Sequence, residues 1–321
     1  MDNAVNSLSL SSISPRDKLW QDKKLLSETI SRLYRDSEYS KYSSRLDSCA
    51  NYLTFKHWLN SESGEVKLKL KQVYLCKVRH CPVCSWSRSR VWKRRLNEGI
   101  PKMMIEHPST RFIFVTLTVP NCVITELRDT LQGMSKAFDR LMKRRDIKSH
   151  VLGYVRSMEV TRNPLTGFAH PHYHVLLAVK PSYFSRGYLS QAKWTTYWQE
   201  SLGTIEDRIV HVKAIKPNPK YKNDPLGLAS SIMEVAKYCV KHTDMIADKD
   251  WLIEMTTQLN ATKHVVLGGL IKQYVNSSEP KEDDILNGHN DELEENDTED
   301  LMYFYWNKPR KDYLMCQNRT A

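Results

Sequence analysis

Two alternating runs of apolar and polar residues, joined by a tight turn, place the strongest constraint on how this chain folds. Residues 154–162 and 170–179 each alternate with the period of two that is typical of a strand. Asn163, Pro164 and Gly167 lie between the runs and supply the backbone conformations that a turn requires. The sequence therefore predicts a β-hairpin here.

Further predicted strands and helices flank this hairpin in a regular order. A strand at residues 111–119 and a helix at 127–141 precede it. An aromatic helix at about 188–198, a strand at 208–216 and a helix containing Tyr238 follow it. The order β-α-β-β-α-β-α predicts an α+β fold of the ferredoxin-like, split β-α-β type. In that arrangement helices cover one face of an antiparallel sheet, and the other face is free for a site.

The remaining segments predict the domain organisation. Residues 1–15 are rich in Ser and Asn and are expected to be disordered. Residues 16–105 are expected to form an N-terminal helix, at 16–35, and a zinc-binding basic segment. The split β-α-β domain is expected at 106–250. A C-terminal extension, 251–321, then comprises a helix at 251–259, a disordered acidic stretch at 279–300 and an aromatic strand at 301–314.

The charge of the chain favours a polyanionic partner. The net charge is +11, but residues 279–300 hold eleven of the 37 acidic residues and a single base, Lys281. Without that stretch 47 basic and 26 acidic residues remain, a balance of +21, which points to nucleic acid. No apolar run reaches the roughly 18 residues of a membrane span, and no signal peptide is recognisable. We therefore expect a cytoplasmic protein with no membrane partner.

Three histidines at alternate positions of one predicted strand indicate a metal site. His170, His172 and His174 lie on the same face of the strand at residues 170–179. Glu159, on the partner strand of the hairpin, is within cross-strand range and is favoured over His170 as the third ligand. Mixed nitrogen and oxygen ligation suits Mn²⁺ or Mg²⁺ acting on a phosphate, although zinc also fits these residue types.

Four cysteines in the N-terminal third predict a structural zinc site. Cys81 and Cys84 form a Cys-x-x-Cys knuckle after a predicted hairpin, and Cys76 and Cys49 can complete a tetrahedral set. His80 is an alternative to one of the thiolates. Unliganded thiols or a redox pair are the other interpretation of these cysteines.

A run of basic and aromatic residues directly after the knuckle predicts a DNA-binding helix. Guanidinium groups bind phosphates and aromatic rings stack on bases. The alternative is a solvated helix face. The residues concerned are Trp86, Arg88, Arg90, Lys93, Arg94 and Arg95.

Residues 234–241 are expected to carry the chemistry. If this segment is a helix, Glu234 and Tyr238 lie on one face, one turn apart, with Lys241 beside them. Ile232 and Val235 would face the core on the opposite side. A tyrosine that faces the predicted metal ion could attack phosphorus directly and form a covalent phosphotyrosine. An ordinary solvated helix face is the alternative.

Three blocks of the sequence together resemble the motifs of rolling-circle plasmid replication initiator (Rep) proteins, which belong to the HUH endonuclease superfamily. The first is residues 114–121, with Thr116, Thr118 and Asn121; the second contains His172 and His174; the third runs from Glu234 to Lys241. The match is to the branch with a single catalytic Tyr and a Glu four residues before it. It covers about residues 49–249, roughly two thirds of the chain.

The resemblance implies an HUH endonuclease fold and a function. His172 and His174 would bind a divalent cation. Tyr238 would nick one strand of origin DNA, single-stranded or in a hairpin, and stay attached to the 5′-phosphate. Glu234 would then activate water to end the cycle, while Lys237 and Lys241 would stabilise the phosphate or the phenolate. Host helicase and polymerase are the protein partners expected of such an initiator, and the sequence leaves open whether it acts as a monomer or a dimer.

Two other functions fit some of the same residues. A single-tyrosine transposase or conjugative relaxase belongs to the same superfamily, but the Glu234 and Tyr238 pairing argues against it. A non-catalytic, zinc-dependent DNA-binding regulator, in which the histidines are structural, would bind DNA without cutting it.

Overall fold

The computed structural model describes residues 8–59, 66–204, 210–216, 224, 226–237, 240–289 and 301–316. The helices within these residues are α1 (Leu10–Ile13), α2 (Lys18–Tyr34), α3 (Ser40–Ser48), α4 (Pro82–Glu106), α5 (Leu127–Lys143), α6 (Arg145–Lys148), α7 (Gln191–Leu202), α8 (Ala229–Val235), α9 (His242–Ile246), α10 (Lys249–Gln258), α11 (Ile271–Tyr274) and α12 (Glu282–His289). The strands are β1 (Tyr52–Leu59), β2 (Val66–Val73), β3 (Arg111–Thr118), β4 (Val151–Arg162), β5 (Ala169–Val179), β6 (Val210–Ile215), β7 (Val265–Gly269), β8 (Leu301–Asn307) and β9 (Asp312–Met315).

The chain divides into two compact units. The first comprises Met1–Val91 and Pro280–Ala321, and the second comprises Trp92–Glu279. The division falls inside α4, and it differs from the boundaries at residues 105 and 250 that the sequence favours. As a result α10, β7 and α11 belong to the second unit.

The first unit is built on a four-stranded antiparallel sheet with the order β2-β1-β8-β9. The aromatic tail, predicted to return as a strand, returns as the hairpin β8–β9, and β8 pairs with β1 so that Tyr305 lies opposite Tyr52. The rings of Phe55 and Phe304, 5.8 Å apart and edge to face, lie buried in this sheet. Helices α2 and α3 pack against each other in the same unit.

Two stretches that were predicted to be disordered are folded where the structure describes them. Residues 8–15 include α1, which buries Leu10, and Ser9 pairs with Leu314. In the acidic stretch, α12 buries Ile285 and contacts β2. The prediction was wrong for these residues because each polar stretch contains an apolar side chain that the sheet can bury. Residues 1–7 and 290–300 lie outside the described residues.

The second unit is built on a five-stranded sheet with the order β6-β3-β5-β4-β7. Every neighbouring pair of strands in it is antiparallel. The predicted order β-α-β-β-α-β is confirmed, and so is the hairpin, whose strands β4 and β5 place Glu159 directly opposite His172. The fold class is therefore α+β with antiparallel sheets.

The two faces of this sheet are both covered over part of their length. On one face α5 packs its Phe138 ring 5.1 Å from Tyr154 and 6.1 Å from Tyr173. The other face was expected to be free, and this expectation was wrong. The apolar residues of this second face are buried under α4, α8 and α11, and together with residues of these helices they form a core cluster. The cluster includes Leu96, Ile100, Met103, Phe112, Val155, Leu176, Ala178, Ile232, Val235 and Ile271.

Candidate active site and metal centres

The histidine-bearing face of β5 continues past this cluster to one end of the strand, where polar side chains replace apolar ones. The period of two that places Leu176 in the core also places His174 and His172 on the same face. The register brings Ser157 and Glu159 of β4 opposite these two histidines. Two strands thus present their polar ends at one place.

Glu159, His172 and His174 form a compact group that could hold a metal ion. Oε2 of Glu159 lies 3.1 Å from Nε2 of His172 and 3.0 Å from Nε2 of His174. All three side chains are largely buried. A carboxylate and two imidazoles that converge in this way are a donor set for a divalent cation.

The second nitrogen of each imidazole supports this interpretation. Nδ1 of His172 lies 3.3 Å from the carbonyl oxygen of His170, which can only accept a hydrogen bond. If Nδ1 carries the proton, a neutral His172 turns the lone pair of Nε2 toward the Glu159 carboxylate, and a cation or a second proton must separate them. Nδ1 of His174 faces the hydroxyl of Thr116 at 3.4 Å. Such partners orient imidazoles that bind metals.

The electrostatics of Glu159 favour its charged form. Burial raises the pKa of this carboxyl, but its contacts with His172 and His174 outweigh burial and hold the pKa well below its ordinary value. A carboxylate that stays charged at neutral pH is able to bind a cation.

His170 stands apart from the group. Its Nδ1 lies 2.7 Å from Oδ1 of Asn121, and burial lowers its pKa. Of the two candidates for a third ligand, the structure brings Glu159, and not His170, to His172 and His174.

Thr118 lies opposite His172 in the register of β3 and β5, and its carbonyl oxygen accepts a hydrogen bond from the indole N–H of Trp198 at 2.7 Å.

Glu234 reaches the same group from α8. Its Oε1 lies 3.2 Å from Nε2 of His174, and its Oε2 lies 2.6 Å from Nζ of Lys237. Ile232 and Val235 of the same helix are buried in the core cluster, as their spacing predicted. The side chain of Glu234 thus contacts one residue of the candidate cation group.

The helix that was expected to continue to residue 241 ends at Val235, so that part of the prediction was wrong. Val240 forms a parallel bridge with Val160 of β4, which requires extended backbone that a helix cannot provide. Lys241 is extended as well and precedes α9. Tyr238 lies outside the described residues, and so does Cys239. Glu234 and Lys241 consequently do not share the predicted helical face, because α8 ends before Lys241.

The four predicted cysteine ligands meet in the first unit. All four are buried and form one group: Cys49, Cys76, Cys81 and Cys84. His80, the alternative ligand, is not part of this group. Sulfur–sulfur separations of 3.6 Å join Cys49 to Cys84, Cys76 to Cys84, and Cys81 to Cys49. A disulfide needs about 2.05 Å, whereas a tetrahedron with zinc–sulfur bonds of about 2.3 Å places its sulfurs about 3.8 Å apart. The geometry fits a tetrahedral metal site.

Polar contacts within this group favour a thiolate at Cys81, whereas the pKa values of Cys49 and Cys84 are raised. The backbone N–H of Cys76 donates to Sγ of Cys49 at 3.4 Å. Burial raises the pKa of Cys81, but hydrogen bonds from the other three cysteines lower it well below its ordinary value. A thiolate is the form of cysteine that binds zinc.

A residue that the sequence-based reasoning missed lies beside this group. Lys24 is fully buried, and its Nζ donates hydrogen bonds to the carbonyl oxygen of Asp47 at 3.0 Å, that of Cys49 at 2.6 Å and Oδ1 of Asn51 at 2.7 Å. The sequence could have predicted its burial, because Lys24 lies on the buried stripe of α2 between Trp20 and Ile30.

The predicted DNA-binding residues of α4 differ in how exposed they are. Arg95 is buried, and its guanidinium donates to the carbonyl oxygens of Asn276 and Ser278, so it does not fit a contact with DNA. The guanidinium of Arg88 donates to the carbonyl oxygen of Arg79 at 2.7 Å. These two arginines hold backbone segments within their own units.

The other basic residues of this helix lie nearer the surface. Lys93 is exposed, and Arg94 pairs with Glu98 one turn away at 2.7 Å. The guanidinium carbon of Arg90 lies 5.9 Å from the centre of the Trp86 ring, which itself packs edge to face on Trp20.

None of the helices that the structure describes is long and apolar enough to cross a membrane.

These features define a class of protein. It is an α+β protein with a buried four-cysteine group and a second candidate metal site, formed by two histidines and a glutamate on antiparallel strands. The chain belongs to the Rep_1 family, described as replication protein, which matches residues 67–314. This confirms that it is a replication protein, as the resemblance predicted. The single-tyrosine mechanism stays a prediction.

Individual relatives extend over most of the chain. It is 33% identical over 263 residues to "Protein rep" of Streptococcus pneumoniae serotype 2, which covers 80% of this chain and 79% of that protein. Identity is 35% over 277 residues with "Protein rep" of Lactiplantibacillus plantarum, covering 84% of each. With "Protein rep" of Bacillus amyloliquefaciens it is 29% over 330 residues, covering 92% of this chain and 93% of the relative. No solved structure matches the chain.

Proposed function

We propose that this protein initiates plasmid replication by nicking one strand of the origin and remaining covalently attached to it. The observation that carries the proposal is the contact of Glu234 with His174, at 3.2 Å, beside Glu159. It joins two sequence blocks of the predicted initiator, the histidine strand and the segment of Tyr238, in a chain that belongs to a replication protein family.

In the proposed reaction the phenolate oxygen of Tyr238 attacks the scissile phosphorus. A phosphorus–oxygen bond forms to the tyrosine, the bond to the 3′ oxygen breaks, and that oxygen leaves as a free 3′-hydroxyl once it has taken up a proton. The role of Tyr238 rests on the sequence. It is supported by its described neighbours, because Lys237 contacts Glu234 and Val240 pairs with Val160, the residue that follows Glu159.

Glu159, His172 and His174 would hold the divalent cation, Mn²⁺ or Mg²⁺. When bound, the cation would polarise the phosphate and neutralise charge that develops in the transition state. Lys237 and Lys241, whose side chains are exposed, would contribute positive charge near the phosphate or the phenolate.

Glu234 would end the cycle. Its carboxylate would take a proton from the water that hydrolyses the last phosphotyrosine bond. Water would then end the cycle in place of a second tyrosine. Its Oε2 lies 2.6 Å from Nζ of Lys237, which places a basic group beside this carboxyl.

The remaining parts of the proposal concern the scaffold and its partners. The five-stranded sheet would be the HUH endonuclease fold, and the four cysteines would hold a structural zinc ion. Origin DNA would be contacted by exposed or half-exposed basic residues of α4, among them Arg90, Lys93 and Arg94. Host helicase and polymerase would follow at the nicked origin, and the protein would act in the cytoplasm, as a monomer or dimer.

The test is to trap the covalent adduct. The protein is incubated with Mn²⁺ and a single-stranded oligonucleotide that spans the plasmid origin, and the products are analysed by denaturing gel and by mass spectrometry of tryptic peptides. We expect an adduct on the peptide that contains Tyr238. Tyr238→Phe should abolish it, whereas Tyr188→Phe, at an exposed tyrosine before α7, should leave it unchanged.

The result also separates the alternatives. An adduct that persists in Tyr238→Phe would overturn the assignment of the nucleophile. DNA binding without cleavage under every divalent cation would instead favour the non-catalytic regulator, and an adduct formed only with DNA unrelated to a plasmid origin would favour a transposase or relaxase.

A further inference from the structure

From the geometry around His174 we infer that Glu234 is a fourth protein ligand of the divalent cation, in addition to Glu159, His172 and His174. The inference rests on the cation site of the proposed function and deepens it. It adds a metal-binding role to a residue whose proposed part is to activate water.

The distances between neighbouring ligand atoms are the first argument. Oε2 of Glu159 lies 3.1 Å from Nε2 of His172 and 3.0 Å from Nε2 of His174, and Oε1 of Glu234 lies 3.2 Å from the same nitrogen of His174. In an octahedral site with bonds of about 2.1 Å, adjacent ligand atoms are about 3.0 Å apart. Each of these three separations matches an edge of such an octahedron. Among the described residues the ligand atoms of Glu159, His172 and His174 lie within 4.8 Å of one another, and Glu234, which contacts this group through His174, has to move toward the other two when the cation binds.

The hydrogen-bonding capacity of His174 is the second argument. Two carboxylate oxygens, one from Glu159 and one from Glu234, converge on a single imidazole nitrogen. A nitrogen of this kind has at most one proton and one direction in which to donate it. A divalent cation can bind both carboxylates and the imidazole at the same time, whereas a single N–H can donate a good hydrogen bond to only one of the two carboxylates.

The position of α8 is the third argument. Ile232 and Val235 anchor this helix in the core cluster, and Glu234 lies near its end with its side chain 29% exposed. Lys237 holds Oε2 at 2.6 Å, which leaves Oε1 directed toward His174. One oxygen of Glu234 is thus paired with an ammonium group, while the other contacts one of the three predicted ligands of the cation.

This arrangement has a consequence for metal choice and for the nucleophile. Two carboxylates and two imidazoles form a harder, more oxygen-rich donor set than three imidazoles, which suits Mn²⁺ better than a site made of histidines alone. Binding of the cation would also fix the end of α8, only a few residues before Tyr238 in the chain.

The experiment measures Mn²⁺ binding directly, by isothermal titration and by the electron paramagnetic resonance signal of free Mn²⁺, with the full-length protein and no DNA. The variants are Glu234→Gln, Glu234→Ala and Glu159→Gln, with Glu200→Gln as the matched control. Glu200 is an exposed glutamate on α7 that pairs with Arg144. Circular dichroism and thermal melting verify that each variant is folded.

We expect Glu234→Ala and Glu234→Gln to weaken Mn²⁺ binding by at least about tenfold, the loss that disturbance of a metal site commonly causes, and Glu200→Gln to change it less than about twofold. Glu234 variants that are folded and bind Mn²⁺ as tightly as the unaltered protein would overturn the inference, even if the unaltered protein forms the DNA adduct. Failure of the unaltered protein to form any adduct would instead overturn the proposed function. A tenfold loss of Mn²⁺ affinity in the Glu234 variants would still support the fourth ligand.

Discussion

The ammonium group of Lys24 donates a hydrogen bond to the carbonyl oxygen of Cys49 at 2.6 Å, next to the four-cysteine site. Two further acceptors, the carbonyl oxygen of Asp47 and Oδ1 of Asn51, complete its hydrogen bonds. Burial lowers the pKa of Lys24, while the nearby cysteine and carboxylate groups act in the opposite direction. A single side chain of α2 thereby fixes the backbone that leads into and out of Cys49.

Replacing Lys24 by Met tests this function. Met has a similar length but no donor, so three buried or half-buried acceptors would lose their partner. We expect the free energy of unfolding to fall by about 3 kcal/mol, measured by denaturant titration. Lys18→Met is the control, because Lys18 lies on the same helix but is 60% exposed and pairs only with Asp22 at the surface; its effect should stay within about 0.5 kcal/mol. Equal effects of the two substitutions would contradict the role of Lys24.

The four-cysteine site leads to a prediction about metal content. Cys84→Ser should remove one sulfur ligand and reduce bound zinc, measured by mass spectrometry of the purified protein, from about one ion per chain to well below one. It should also lower the melting temperature, since zinc binding and folding are coupled in such sites. Cys122→Ser provides the control, as Cys122 lies outside the group. Unchanged zinc content in Cys84→Ser would refute the assignment of this ligand.

Much of the candidate cation site could be predicted because its geometry depends on local rules. Alternation along β5 places His172 and His174 on one face, and the turn at residues 163–167 fixes the register that brings Glu159 opposite His172. The same reasoning favours Glu159 over His170 as the third ligand, but it does not show where each of these side chains points across the sheet.

The parts that could not be predicted depend on contacts between segments that are distant in sequence. Nothing in the local sequence predicts that α8 stops at Val235, and the pairing of Val240 with Val160, eighty residues earlier in the chain, is incompatible with a helix that continues to residue 241. The burial of Arg95 likewise depends on the carbonyl groups of Asn276 and Ser278. A helical pattern can show that a residue lies on a face, but it cannot show what that face meets.

Two glycines offer a matched test of the sheet of the second unit. A Cβ atom at Gly153, in β4, would lie 2.8 Å from the carbonyl oxygen of Gly268 and 2.8 Å from the backbone nitrogens of Leu270 and Ile271. These neighbours are backbone atoms and cannot move independently, so Gly153→Ala should destabilise the protein by about 2 kcal/mol or more. At Gly133, which is exposed on α5, an added Cβ meets nothing within 4 Å. Gly133→Ala should therefore stabilise the protein by about 0.5–1 kcal/mol.

Both variants are measured by denaturant titration of the same preparation. Because the two substitutions are chemically identical, the opposite signs would come from their surroundings alone. A stabilising Gly153→Ala would show that β7 and α11 do not pack as closely on β4 as the structure indicates.

Asp248, which caps α10, predicts a specific dependence of stability on pH. Its Oδ1 accepts a hydrogen bond from the backbone N–H of Trp251 at 3.0 Å, and its Oδ2 accepts one from Arg162 at 3.0 Å. The hydrogen bond from Trp251 and the pairing with Arg162 together outweigh the effect of burial and lower the pKa of this carboxyl. A carboxyl whose pKa is lower in the folded state stabilises the fold above its unfolded pKa, 3.8, and loses this contribution as the pH falls toward the folded value.

Asp248→Asn should therefore reduce stability at pH 6 and have a smaller effect near pH 3. Asn still caps the helix but cannot pair as a charge with Arg162, so the loss at pH 6 should be at most about 1 kcal/mol. The measurement is denaturant unfolding of both proteins at several pH values, with Asp250→Asn, at an exposed position in the first turn of the same helix, as the control. If the difference between the unaltered protein and Asp248→Asn is the same at pH 6 and pH 3, the charge of Asp248 does not contribute, and only its hydrogen bond to Trp251 stabilises the start of α10.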